Sequence, residues 1–262
     1  MKTILLQSHR PPPWPRWIET CLTSARVWAR RRGIPTLFLH DELFDGLPKT
    51  FMEATETEKL PRTDLGRLRW MKRLHEDGWD RVIWLDADVF IFDQSLDFDG
   101  DAVGREAWVS RGKSAQMRVL RKVNNCAMCF DAGSPHLERY LAAAEAKADA
   151  MEGTPGRLSL GPDIMTDLHF EEPFPLHPDV AMFSPPVLRA LASEGGLALR
   201  AHEAAWGGAP KAANLCGSID TGPAVLAAAI RRLKSKDGAR AKRGPDHGFQ
   251  ELTLAKGGPV AW

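Results

Sequence analysis

Three short apolar runs separated by two helical patterns occupy the first 85 residues, and this alternation constrains the fold more than any other feature. Thr3 to Ser8 is apolar enough for a strand. After the Pro11-Pro12-Pro13 break, Trp14, Trp17, Ile18, Cys21, Leu22, Ala25 and Trp28 recur at helical spacing, predicting a helix over 14–32 that stops at Gly33. Thr36 to Leu39 reads as a second strand, and residues 41–61 read as mostly irregular. Thr63 is suited to cap a second helix ending near His75 and Gly78, before the continuous apolar run Arg81 to Leu85. Strand, helix, strand, helix, strand predicts a parallel sheet with right-handed crossovers, half of a Rossmann-like α/β fold. Ligands gather beyond the carboxyl ends of the strands in such a sheet. No GxGxxG follows the first strand, which disfavours a dinucleotide cofactor.

At such a strand end stand Asp86-Ala87-Asp88, followed by Val89-Phe90-Ile91-Phe92. Two carboxylates carried past a buried strand are costly unless compensated, so a cation is their natural partner. Carboxylate oxygens suit Mg²⁺ or Mn²⁺, which keep water and bridge to phosphates of a substrate. The plainer alternative is an acidic turn. The helix that feeds this strand starts at the same sheet edge, and Asp64 and Arg67, three residues apart, share one face of it. A helix N-terminus with an arginine suits phosphate or polar sugar groups, although a surface ion pair has the same spacing.

The whole-chain balance narrows the classes further. Over 262 residues, 35 Lys+Arg meet 34 Asp+Glu, a net charge of +1 that argues against nucleic acid as a partner. No apolar stretch approaches the roughly 20 residues of a spanning helix, and Ile4-Leu5-Leu6 falls short of a secretory core. The four cysteines form no framework, so a reducing, cytoplasmic setting is expected. Cys126 and Cys129 have CxxC spacing on a predicted strand. There their side chains should face opposite ways, so two buried hydrophobes are expected rather than a metal or redox pair.

Further along, Ala107 to Ser110 and Lys122 to Phe130 read as strands, and Pro135 to Ala150 as a helix. Short helices are predicted at Gly161 to His169 and Val187 to Ser193, a last strand at Leu197 to Arg200, and a terminal helix at Ala224 to Lys236. These divide the chain into one domain over 1–230, a nucleotide-binding half (1–110) and an acceptor half (111–230), with a basic tail over 231–262. Between Arg231 and Arg243 of that tail, Arg231, Arg232, Lys234, Lys236, Arg240, Lys242 and Arg243 stand against Asp237 alone. Peripheral contact with anionic lipid and a solvated end are both open readings of it.

Thr63-Asp64-Leu65-Gly66-Arg67 followed by Leu85-Asp86-Ala87-Asp88-Val89 resembles the S/T-D-x-x-R … Y/L-D-x-D-V pattern of GT-A glycosyltransferases. The similarity is greatest to glycosyltransferase family 32, whose members include capsular polysaccharide synthesis enzymes and mannosyltransferases. Val123-Asn124-Asn125, Ser134-Pro135-His136, Gly161-Pro162-Asp163 and Ala201-His202 with Trp206 resemble later segments of that family, in order over about residues 1–210. The resemblance implies a GT-A fold with a mostly parallel sheet flanked by helices. It implies a nucleotide-diphosphate sugar (UDP- or GDP-sugar) as donor, a saccharide, other hydroxyl or lipid-linked acceptor, and transfer with retention. By position, Asp88 and Asp86 would hold Mn²⁺ or Mg²⁺, and Asp64, Arg67 and Asn125 would hold the donor sugar. Arg67 and the metal would balance charge on the departing diphosphate. His202 would be a third metal or diphosphate ligand, a role that competes with a structural one. Asp163 and Asp167 are open as residues near the acceptor.

Two rivals use the same residues. Val82 to Val89 also resembles the opening motif of haloacid-dehalogenase-type phosphatases, with Asp86 as nucleophile and Asp88 as acid/base. That motif normally ends the first strand of its domain, whereas two strand-helix units precede it here. A non-catalytic sugar-nucleotide binder is the other rival, with Trp14, Trp17 or Trp206 as candidates to stack on sugar or base.

Overall fold

The computed structural model describes residues 1–112, 116–235 and 250–252. In chain order the elements are β1 (Thr3–Ser8), α1 (Arg16–Arg31), β2 (Thr36–Leu39), α2 (Lys49–Ala54), α3 (Leu60–Glu76), β3 (Arg81–Leu85), β4 (Val89–Ile91), β5 (Ala102–Arg111) and β6 (Met117–Asp131). These are followed by α4 (Pro135–Asp149), α5 (Pro162–Glu171), β7 (Val180–Met182), α6 (Pro185–Ala192), α7 (Leu197–Trp206), β8 (Ala212–Asn214), α8 (Pro223–Lys234) and β9 (Gln250–Leu252). The fold is α/β.

The main sheet runs β2-β1-β3-β6-β5, with β9 also pairing β6, and it is mixed rather than mostly parallel. β1 pairs β2 and β3 in parallel, as two helical crossovers require. β6 then pairs β3 and β5 antiparallel, because β5 and β6 follow each other through a short connection instead of a crossover helix. Alternation along the strands sends Ile4, Leu6, Val82, Trp84, Met128 and Phe130 into a core shared with α3 and α4. Leu5, Ile83, Leu85, Ala127 and Cys129 face the other way, against Ala25, Trp28 and Ala29 of α1. A second, three-stranded sheet, β4-β8-β7, shares a separate core with α6, α7 and α8.

Several expectations change. The second helix starts at Leu60, not Thr63, since Leu60-Pro61 tolerates the first turn where no intrahelical N–H partner is needed. Asp64 and Arg67 therefore lie inside the helix rather than at its N-terminus. The stretch 41–61 holds a short 3₁₀ turn at Asp41–Phe44 and α2 as well. Leu197 to Arg200 is the start of α7 and not a strand; Ala198, Leu199, Ala201, His202, Ala205 and Trp206 form its buried, helically spaced face. Cys126 and Cys129 are buried and free, as expected of core residues, but both pack into the core on the α1 side. A register shift at Val103/Gly104 explains this: residues 125–127 of β6 have no counterpart on β5, so the alternation is reset. The helix before the basic tail runs through Arg231 and Arg232 to Lys234, and most of the tail lies outside the described residues.

Candidate functional site

The irregularity in β6 builds one wall of the site. β3 ends at Leu85, and the Asp86 N–H donates to Cys126 O at 2.8 Å, so the acidic segment leaves the sheet against the bulge. The same bulge turns Asn125 O toward α3, where Arg67 Nη1 donates to it at 2.8 Å. The Asn125 amide donates to Asp64 Oδ1 at 2.9 Å and to Tyr140 Oη at 3.1 Å. The next β5 residue after the shift, Gly104, already lies so close that an added Cβ would stand 2.8 Å from Asn124 O. Asn124 pins the bulge from within, accepting from Cys126 N–H at 2.7 Å and donating to the buried Glu106 at 2.8 Å. Burial raises the Glu106 carboxyl above its ordinary range.

Arg67 joins this wall to the acidic pair. Its guanidinium is buried on α3, 4.7 Å from the face of Trp84. Nη1 donates to Asp86 Oδ1 at 3.0 Å, Nη2 stands 3.2 Å from Asp64 Oδ1, and Nε donates to Thr63 O at 3.3 Å. Trp84 Nε1 also donates to Asp86 Oδ1, at 2.7 Å. Asp86 nevertheless keeps 25% of its side chain exposed to the cavity. Burial pushes both Asp64, to about 6, and Asp86 upward, against the pull of Arg67. Sequence reasoning therefore places Asp64, Asp86, Arg67 and Asn125 together correctly, but Arg67 is already committed to protein acceptors.

Asp88 is held from the other sheet. Its Oδ1 accepts from Asn214 Nδ2 and its Oδ2 from the Gly217 N–H, each at 2.7 Å. Asn214 ends β8, which pairs with β4 directly after Asp88, and its Oδ1 accepts from Cys216 N–H at 2.6 Å. Both donors to Asp88 are neutral. Burial, then the nearby Asp86, push its carboxyl up to about 7. Gly217 is required by close approach, since a Cβ there would meet Trp17 Cη2 at 2.6 Å and Asp88 Oδ2 at 3.0 Å.

The structure does not bring His202 to this pair. It lies on the buried face of α7, stacked on Trp206 at 5.6 Å and edge-on to Phe183, with Nδ1 3.2 Å from Ala107 O. Burial lowers it to about 4, so it is neutral. It belongs to the core around the second sheet, which corrects its expected place as a ligand. Asp163 and Asp167 are exposed on α5 and do not line the cavity, and of Trp14, Trp17 and Trp206 it is Trp17 that does.

Asp86 and Asp88 open into a cavity of about 550 Å³ between the ends of β1 and β3, α3, the bulge and the segments around 157 and 217. Sequence reasoning missed Asn214, Gly217 and Arg157 on its wall. Asn214-Leu215-Cys216-Gly217, a polar residue after two alanines and before a glycine, is the only trace of the first two. Among the described residues no group of three or more His, Cys, Asp or Glu side chains is disposed to hold a metal. The donor set is thus two carboxylates with lone pairs to spare. That fits a hard divalent cation whose remaining positions are filled by water and substrate oxygens.

No protein-family model and no curated protein sequence matches the chain. Among solved structures it is similar to a glycosyltransferase involved in the glycosylation of the major capsid of PBCV-1, at 9% identity and TM-score 0.46 over 86% of this chain and 98% of that one. It is also similar to mouse xyloside xylosyltransferase 1, at 13% identity and TM-score 0.40 over 82% and 98%. The galactosyltransferase LgtC, solved with donor and acceptor sugar analogues, matches at 12% and 0.39 over 81% and 87%. At these identities and scores the likenesses give this chain neither a family nor an activity. Among the described residues no helix is long and apolar enough to cross a membrane.

Proposed function

We propose that this protein is a metal-dependent glycosyltransferase that moves a sugar from a nucleotide-diphosphate sugar to a hydroxyl acceptor. One observation carries the reading: two carboxylates at the end of a central strand share a cavity, and Asp88 faces it with neutral partners only. Such a pair is poised for a cation that brings its own anionic ligand. Asp86 and Asp88 would hold Mn²⁺ or Mg²⁺, and the ion would neutralise charge on the donor's diphosphate. In the transfer, the bond from the anomeric carbon to the diphosphate oxygen breaks with its electron pair left on that oxygen. The acceptor hydroxyl oxygen bonds the anomeric carbon, and its proton passes to the released diphosphate. Asp64 and Asn125 form the wall on which the donor sugar rests, and Arg67 holds Asp86 and Asp64 in place for it. Retention at the anomeric carbon is the stereochemical outcome that the family resemblance suggests.

The test is thermal stabilisation by UDP, GDP and their sugars, with and without Mn²⁺, in wild type and Asp88→Ala. Nucleotide at 100 times its Kd should add about 2.7 kcal/mol of apparent stability. A shift that needs the metal and disappears in Asp88→Ala supports the transferase and names the donor base. Absence of any shift, with phosphatase turnover abolished by Asp86→Asn, would install the phosphatase instead. Binding without sugar transfer to any acceptor would leave a sugar-nucleotide binder.

A further inference from the structure

We infer that Arg157 is the residue that grips the diphosphate, a step that rests on the transferase reading above. Among the described residues, four Lys and Arg side chains line the cavity: Arg10, Lys59, Arg67 and Arg157. Arg67, the arginine of the sequence pattern, spends its N–H groups on Thr63 O, Asn125 O, Asp64 and Asp86. It is a brace for carboxylates and has little left to offer a phosphate. Arg10 follows β1, its carbonyl oxygen accepting from Trp14 Nε1, and Lys59 stands at the N-cap of α3.

Arg157 differs in place and in capacity. Its Nη2 donates to Ser218 O at 2.6 Å. Ser218 follows Gly217, whose N–H holds Asp88. The guanidinium is thus tied to the residue that follows the one whose N–H orients Asp88, and both side chains line the same cavity. A guanidinium has five N–H donors in a planar fork that matches phosphate oxygens, and among the described residues Arg157 gives one of them to Ser218 O. The side chain is exposed on the connection between α4 and α5, so an arriving anion displaces only water. A diphosphate bound through a cation at Asp86 and Asp88 would lie in the cavity that Arg157 also lines. Arg157 would then carry the charge that grows on the leaving group, a role that Arg67 is too committed to fill.

The measurement is calorimetric affinity, with Mn²⁺ present, for the nucleoside diphosphate that stabilises wild type and for its uncharged nucleoside, in wild type, Arg157→Ala, Arg157→Lys and Asp88→Ala. Arg157→Ala should weaken the diphosphate about tenfold or more and change the nucleoside less than twofold, with the unliganded Tm unmoved. Arg157→Lys should recover part of the loss, because it restores the charge without the fork. Equal losses for diphosphate and nucleoside, or a fall in unliganded Tm that accounts for the effect, would reduce Arg157 to a clip between two loops and overturn the inference. Metal-dependent binding abolished in Asp88→Ala but intact in Arg157→Ala would overturn the inference alone. Wild type that binds no nucleoside diphosphate would overturn the transferase reading and this inference with it.

Discussion

Asp86 and Asp88 are two residues apart, yet two different halves of the molecule hold them. Asp86 belongs to the main sheet, where Arg67 from α3 and Trp84 from its own strand both donate to one oxygen. Asp88 belongs to the second sheet, where the amide of Asn214 and the backbone N–H of Gly217 take one oxygen each. The first carboxylate is neutralised by a buried cation, and the second is only oriented. That difference divides their work. Arg67 fixes the geometry of one wall whatever is bound, whereas Asp88 presents charge that a ligand must satisfy.

The comparison breaks first at Arg67. Arg67→Ala should destabilise the fold by about 3–5 kcal/mol, because it strands Asp64 and Asp86 in a buried setting. Urea unfolding at pH 7 measures the loss. Arg67→Lys should rescue little of it, since a single ammonium cannot reach Thr63 O, Asn125 O and two carboxylates at once. A loss below about 1 kcal/mol, the size expected of an exposed ion pair, would show that the brace does not matter.

Next in size is the pH dependence that separates the two carboxylates. Asp88 keeps its proton to about pH 7 in the fold, while an unfolded aspartate releases it near 3.8. The folded state thus binds more protons across that window, and Asp88 makes stability fall as pH rises from about 4 to 7. Asp64, raised to about 6, has the same sign but is present in both proteins compared. In EDTA, the stability of Asp88→Asn relative to wild type should climb by on the order of 2 kcal/mol between pH 4 and 8. The slope is the quantity to read, because asparagine gives up one acceptor for Asn214 or Gly217 at every pH. A difference that is flat across the window would mean that the Asn214 and Gly217 donors compensate the burial of Asp88 in full.

The two halves also differ in how far the sequence reveals them. β1, β2 and β3 fall where their apolar runs end, at Thr3–Ser8, Thr36–Leu39 and Arg81–Leu85, because buried central strands need unbroken hydrophobic stretches. The acidic pair and its partners Asp64 and Arg67 follow from that order alone. β7 and β8, three residues each, are too short for any period to register, and tertiary pairing rather than local preference makes them strands. Leu197-Ala198-Leu199-Arg200 alternates like a strand, yet its burial pattern belongs to a helix packed on the second core. The donors to Asp88 are 126 and 129 residues away along the chain and come from this unreadable half. The bulge that presents Asn125 is likewise a matter of register between strands, which no spacing within β6 announces.

The smallest effect should come from Gly217→Ala, and it isolates the weaker support. The added methyl meets the Trp17 ring at 2.6 Å and Asp88 Oδ2 at 3.0 Å, so the segment after β8 must shift away from the carboxylate. That segment is at the cavity edge and able to yield, so the cost in stability should stay near 1 kcal/mol, at the low end for overpacking. Binding should respond more than folding does. With the Gly217 N–H displaced, Asp88 loses one of its two orienting donors, and the Mn²⁺ concentration needed for nucleotide stabilisation should rise several-fold. The unliganded protein would change little. An equivalent crowding change on the other wall, Gly161→Ala, places a methyl 2.6 Å from Asp64 Oδ2. There the carboxylate is gripped by Arg67 and Asn125, so the strain should appear in unfolding and leave the metal requirement unchanged. If both variants shift stability and metal requirement in the same proportion, the two walls act as one unit and the division between brace and binder is wrong.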